Sequence, residues 1–189
     1  MEREDALQAL RTLGEVLAAR GNHYELVVIG GSGLLLLGLI VRPTADVDVV
    51  ALVEDGKYRS AKPLPLPLEE AQAEVGGALG LGDRWLNPGP TDLLDFGLPE
   101  GFQDRVGTLE FGGLTVHPAA RFDQICFKLY AAAYQGPRSK HFADLKQLDP
   151  AVDELVRAAR WAVQHDTSEG FRRLLLEALA QLRVDRDDL

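Results

Sequence analysis

The spacing of apolar residues changes period several times along the chain, and each change marks an element. Ala6, Leu10, Leu13 and Leu17 recur at helical intervals and predict an amphipathic helix over residues 2–20, stopped by Gly21-Asn22. Tyr24 to Ile29 is a short apolar run rich in β-branched residues, which predicts a buried strand. Gly30-Gly31-Ser32-Gly33 follows as a turn. Leu34 to Ile40 is apolar on all sides and predicts a short buried helix. After a turn at Arg42-Pro43-Thr44, Asp46 to Val53 predicts a second buried strand.

The pattern then loosens. Residues 54–67 mix Gly, Pro and charge and predict an exposed loop, and Leu68 to Leu79 predicts a helix weakened by Gly76-Gly77. Asn87-Pro88-Gly89-Pro90 reads as a turn; Trp85 and Asn87-Pro88 can line a ligand cleft, but turn and packing roles fit them better. Thr108 to Phe111 and Leu114 to His117 predict a hairpin around Gly112-Gly113. From residue 119 the period is helical throughout. Phe122, Ile125, Cys126, Leu129 and Ala133 form one stripe, ended by Gly136-Pro137. A short helix over Lys140 to Leu148 follows. Asp149-Pro150 reads as an N-cap and first position for a helix burying Val152, Leu155, Val156, Ala159 and Val163. A last helix starts near Thr167 and buries Phe171, Leu174, Leu175, Ala178 and Leu182. The predicted class is α+β: a small mixed β-sheet core flanked by helices over residues 1–118, and a C-terminal helical subdomain packed on that core over 119–189.

Composition narrows the functional classes. With 189 residues, 46% of them hydrophobic, the chain is long enough for a sizeable core. A single cysteine, Cys126, excludes an internal disulfide and a multi-cysteine zinc site. The opening MEREDALQAL reads as a charged helix and not as a leader peptide, and the apolar run Leu34 to Val41 is too short to span a membrane. A cytoplasmic location is the expectation. The net charge of −9 argues against a broad basic surface for nucleic acid, but leaves room for local basic clusters at Lys57, Arg59 and Lys62 and at Arg138, Lys140 and Lys146.

Two features in the segment from Val27 to Leu52 carry chemistry. At Gly30-Gly31-Ser32, glycines let backbone approach a ligand, N–H groups at a helix start favour a phosphate, and the serine hydroxyl adds a donor. At Asp46-Val47-Asp48, strand alternation points both carboxylates to one face. Two such charges on an apolar strand need neutralisation, and Mg²⁺ takes carboxylates together with substrate phosphates. Either feature alone is weak; the order strand, glycine turn, helix, Asp-x-Asp strand is far more specific.

That pattern resembles the signature of the DNA polymerase β-like nucleotidyltransferases. The fuller pattern, Gly-Gly-Ser-x-Leu and then Gly-Leu-Ile-x-Arg-x-Thr-x-Asp-Val-Asp, is similar to the branch with the AbiEii-type and MenT-type toxins and to small bacterial nucleotidyltransferase-like proteins. Downstream, Arg121 to Ala131 and then Arg138, Lys140 and Asp144-Leu145 resemble that family's later motifs. The resemblance implies a nucleotidyltransferase core and an Mg²⁺-dependent enzyme that moves a nucleoside monophosphate from an NTP to a hydroxyl or phosphate acceptor. It implies an RNA acceptor such as tRNA, and the toxin role of a toxin–antitoxin pair with an antitoxin-like protein partner. By the same resemblance Gly30, Gly31 and Ser32 hold the triphosphate, Asp46 and Asp48 bind the metal and act in catalysis, Lys128 contacts phosphate, and Asp144 is a further acid. The residues alone leave alternatives open. Lys128 can lie along the apolar stripe with its amine in water, and Asp144 can pair with Lys140 one turn earlier. The third acid usual in such sites can be Asp92, Asp95 or Asp144. The same fold can also serve as a catalytically silent nucleotide- or protein-binding module.

Overall fold

The computed structural model describes residues 1–184. The chain divides into two compact units, Met1–Ala120 and the residues from Arg121 onward. It is an α+β fold, as the hydrophobic pattern predicts.

The first unit contains α1 (Arg3–Ala19), β1 (Tyr24–Ile29), α2 (Gly30–Leu36), β2 (Val47–Glu54), β3 (Lys57–Arg59), α3 (Leu66–Leu79), β4 (Leu86–Asn87), a 3-10 turn (Gly89–Asp92), α4 (Leu93–Phe96), α5 (Phe102–Arg105), β5 (Leu109–Glu110) and β6 (Leu114–Pro118). The sheet runs β3-β2-β1-β6-β5, with β4 paired to β2. It is mixed: β1 is antiparallel to β2 and parallel to β6. On its other edge β2 pairs in parallel with β4 near its start and antiparallel with β3 near its end. Leu10, Leu13 and Leu17 of α1, Leu26 and Val28 of β1, Val47 and Val49 of β2, Leu68 and Val75 of α3, and Trp85 share one apolar core.

Strand alternation explains half of β2. Val47 and Val49 enter the core, so Asp46 and Asp48 project from the other side. A bulge then shifts the β1–β2 register, with Val27 opposite Ala51 but Val28 opposite Val49. The extra residue, Val50, returns Leu52 to the core face, which strict alternation from Val49 forbids.

Three expectations change in this unit. The predicted helix over Leu34 to Ile40 spans Gly30 to Leu36, so the Gly-Gly-Ser segment is the helix's first turn and not a loop ahead of it. The predicted loop over 54–67 holds β3, which turns back through Asp55 and Gly56, and it buries Ala61 and Leu64. Residues 87–90, read as a turn, include one residue of a strand, Asn87.

The second unit is helical: α6 (Arg121–Gln135), α7 (Lys140–Leu148), α8 (Val152–His165) and α9 (Glu169–Gln181). Ser139 and Ser168 cap α7 and α9, each hydroxyl accepting the N–H three residues on. Aromatic rings join the helices, with Phe127 of α6 edge-on to Trp161 of α8 at 5.5 Å and Tyr130 tilted on Phe171 of α9 at 5.2 Å. The Tyr134 hydroxyl donates to the Asp166 carboxylate, which also accepts the Ser168 N–H at 2.8 Å. These bonds hold Asp166 below the usual carboxylate range, and the Asp166 bond is the main cause that pushes the Tyr134 phenol above its own. Asp149 does not cap α8. It closes α7 in the left-handed region (φ 45°), and Ala151 starts α8, because the Glu154 side chain reaches back to the Ala151 N–H at 2.9 Å. Val152, expected inside, is 46% exposed.

Lys128 and Asp144 meet inside this unit. Their side chains, 3% and 1% exposed, pair at 2.8 Å between α6 and α7. Lys128 therefore does not reach for solvent, and the partner of Asp144 is Lys128 on another helix, not Lys140. Removing one member of such a pair leaves a buried charge uncompensated, at about 3–5 kcal/mol, whereas replacing both by apolar groups is often neutral. Urea unfolding should show Lys128→Met destabilised by roughly that amount, and Lys128→Met with Asp144→Leu recovering most of it.

Candidate functional site

The first unit brings Gly30, Ser32, Asp46 and Asp48 together at the junction of β1, α2 and β2. Ile29 ends β1 in an extended conformation, and the chain turns at once into α2 through Gly30, whose φ is +72°. An L-residue rarely adopts that conformation. Glycine is required for a second reason: a Cβ there would lie 2.3 Å from Oδ2 of Asp48. The Asp48 carboxylate lies directly against the glycine turn, so the two motifs separated by thirteen residues form one structure.

Ser32 links them again. Its side chain is fully buried, and the hydroxyl donates to the Ile29 carbonyl at 3.0 Å while accepting the backbone N–H of Asp48 at 2.9 Å. Both bonds are internal, so the hydroxyl fixes the backbone that carries Asp48. Gly31 faces a cation: a Cβ there would sit 3.1 Å from a guanidinium nitrogen of Arg42 and 3.3 Å from the Thr44 hydroxyl. Thr44 in turn donates to the Asp46 carbonyl at 3.1 Å, which shapes the entry into β2.

Asp46 and Asp48 are half-buried and converge on one atom. The side-chain nitrogen of Asn87 donates to Oδ2 of Asp46 at 3.1 Å and to Oδ1 of Asp48 at 2.9 Å. The donor set fits an Mg²⁺ site: two carboxylates each turn an oxygen to a common point, and Mg²⁺ binds through one or two carboxylates with the rest of its shell from water and phosphate. Asn87 reaches this position because β4 is pinned from behind. Trp85 is buried with its indole N–H on the Gln72 carbonyl at 2.9 Å, and the Gln72 side-chain oxygen accepts the Leu86 N–H at 3.0 Å. The Trp85 carbonyl accepts the Val47 N–H at 2.7 Å, and β4 sets Asn87 opposite Asp48. A cleft of about 490 Å³ opens beside Asp46 and Asn87, with Lys62, Glu69 and Arg84 in its walls.

Asp92 and Asp95 are exposed on the 3-10 turn and α4. Among the described residues, no group of three or more His, Cys, Asp or Glu side chains is gathered as a metal site. Lys128 and Asp144 belong to the helical unit, where they pair with each other. Sequence reasoning favoured a turn role for Asn87 over a place in the cleft and gave it no contact with the two acids. A two-residue strand has no period to read, and Asn before Pro-Gly carries a strong turn signal. The available hint was Trp85-Leu86, an apolar pair too bulky for an exposed turn.

A comparison with protein families finds one whose model matches residues 5–138, described as nucleotidyltransferase of unknown function (DUF6036). The matched span contains the glycine turn, Arg42, Asp46, Asp48, Asn87 and Lys128, and stops short of Asp144. No curated protein and no solved structure matches the chain. The match covers well over half of the 189 residues, and the chain belongs to this nucleotidyltransferase family.

Proposed function

We propose that the protein transfers a nucleoside monophosphate from an NTP to a hydroxyl or phosphate acceptor, with Mg²⁺ held by Asp46 and Asp48. The observation that carries this reading is the convergence of the two carboxylates on one point beside the glycine turn. When bound, Mg²⁺ supplies positive charge for the triphosphate and for the departing pyrophosphate. In the transfer, the acceptor oxygen bonds to the α-phosphorus, the bond to the β-phosphate breaks, pyrophosphate leaves, and the acceptor proton passes to solvent or a nearby carboxylate.

The chain's own residues position these groups. Gly30 leaves room for the Asp48 carboxylate, and the Arg42 guanidinium over the buried Gly31 supplies charge where phosphates would lie. Ser32 holds the Asp48 backbone through its two internal hydrogen bonds. Such an arrangement works by positioning and electrostatics. Family resemblance assigns Lys128 a phosphate contact and Asp144 a further acid, and the two are buried and paired with each other in the helical unit. The same resemblance points to an RNA acceptor such as tRNA and to a toxin held in check by a partner protein. The −9 net charge favours an acceptor seated locally, not spread over a basic surface.

Incubation with each α-labelled NTP, Mg²⁺ and total RNA should give transfer with at least one nucleotide, abolished by chelation. Asp46→Ala and Asp48→Ala should each lower the rate by about 100-fold or more. Absence of label with all four NTPs defeats the proposal, and NTP binding indifferent to Mg²⁺ would indicate a silent module instead. In cells, expression of the wild-type chain should arrest growth and Asp46→Ala should relieve it. Ser32→Ala leaves the Ile29 carbonyl and Asp48 N–H without their buried partner; thermal or urea unfolding should show a loss of about 1–3 kcal/mol, with transfer reduced in parallel.

A further inference from the structure

β4 lies beside the strand that carries Asp48 and brings an amide, not a third acid, to the two carboxylates. Asn87 stands opposite Asp48 in the parallel β2–β4 pairing, and one nitrogen serves both carboxylates, at 3.1 and 2.9 Å. The orientation of the amide is set by its other end. The Gly89 N–H donates to Oδ1 of Asn87 at 3.0 Å, so that oxygen is held toward Gly89 and the NH₂ group toward the carboxylates. Turning the amide to offer its oxygen to a cation would set Nδ2 against the Gly89 N–H, donor against donor. Asn87 is thus built to donate to the two carboxylates and not to join them as a ligand.

We propose that Asn87 is a positioning residue that stands in for a cation: it holds Asp46 and Asp48 side by side before a metal arrives and makes the site load its metal only together with the nucleotide. The inference rests on the reading of Asp46 and Asp48 as metal ligands and deepens it. Two adjacent carboxylates repel, and a shared N–H donor offsets that repulsion without adding charge. It also occupies one lone pair on each carboxylate that a cation would use. A site with two carboxylates and an amide offers fewer charges than one with three acids, and Mg²⁺, which gives up water reluctantly, then depends on substrate phosphates to complete its shell. Replacing Asn87 by Asp turns this into a three-carboxylate site that holds a metal by itself.

The test uses the full chain and Mn²⁺ as the probe, followed by electron paramagnetic resonance, with thermal unfolding measured in chelator and in Mn²⁺. Wild type should bind Mn²⁺ weakly alone and at least tenfold more tightly when a non-hydrolysable NTP analogue is present. Asn87→Asp should bind Mn²⁺ without nucleotide at least tenfold more tightly than wild type, unfold at a lower temperature in chelator, and recover in Mn²⁺. Asn87→Ala should also unfold earlier in chelator and gain more from Mn²⁺ than wild type does. That loss should shrink when Asp46→Asn has already removed one charge, a dependence that a purely structural asparagine would not show. The idea is overturned if wild type holds Mn²⁺ equally well with and without the analogue, or if Asn87→Asp binds it no more tightly than wild type. Should Asn87→Asp not fold, Asn87→Ala decides: equal Mn²⁺ stabilisation of Asn87→Ala and wild type refutes the proposal. Because metal alone and unfolding are the readouts, failure of nucleotide transfer leaves this result interpretable, and the reverse also holds.

Discussion

Two carboxylates two residues apart, one just ahead of β2 and one in it, have to be kept together against their own repulsion, and the first unit is arranged around that constraint. The Asp48 carboxylate lies so close to Gly30 that no side chain fits between them, and the Asp48 backbone is tied to Ser32. On the far side one amide donates to both acids. Each contact comes from a different element: α2 supplies the glycine and the serine, β2 and the residue leading into it the acids, β4 the amide. Displacement of any one element loosens the pair, so a site of few residues depends on three elements.

The apolar core does the supporting work at a distance. Val47, between the two acids, and Val49, just after them, enter it and anchor the strand. Trp85 and Gln72 fix β4 through buried hydrogen bonds, so Asn87 arrives at the carboxylates with its backbone already held. The bulge at Val50 lets the same strand present acids on one side at its start and still bury Leu52 further on. Burial of Ser32 follows the same logic, because a hydroxyl whose bonds are both internal orients backbone and is shielded from competition by water.

The helical unit carries its own polar commitment. Lys128 and Asp144 form a buried ion pair between α6 and α7.

Much of this was legible in the residues. Helical periodicity marked α1 and α6 to α9, and strand composition marked β1 and β2, because long elements with one buried face write that face into their spacing. The glycine turn and the paired acids were legible because they are local: alternation along one strand determines that Asp46 and Asp48 share a face. Tertiary structure alone decided what depends on residues meeting from distant parts of the chain. Asn87 sits in a two-residue strand with no period, and its role exists only because β4 pairs with β2. Lys128 chose Asp144 over solvent, and Asp144 chose Lys128 over Lys140, because α6 and α7 bury both groups and a buried charge takes whichever partner is buried with it. Val152 left its apolar stripe for solvent, and Asp149 left its N-cap, because Glu154 supplied the bond that starts α8. Local spacing thus determined the elements and the acids, and the pairing of elements determined what the acids face.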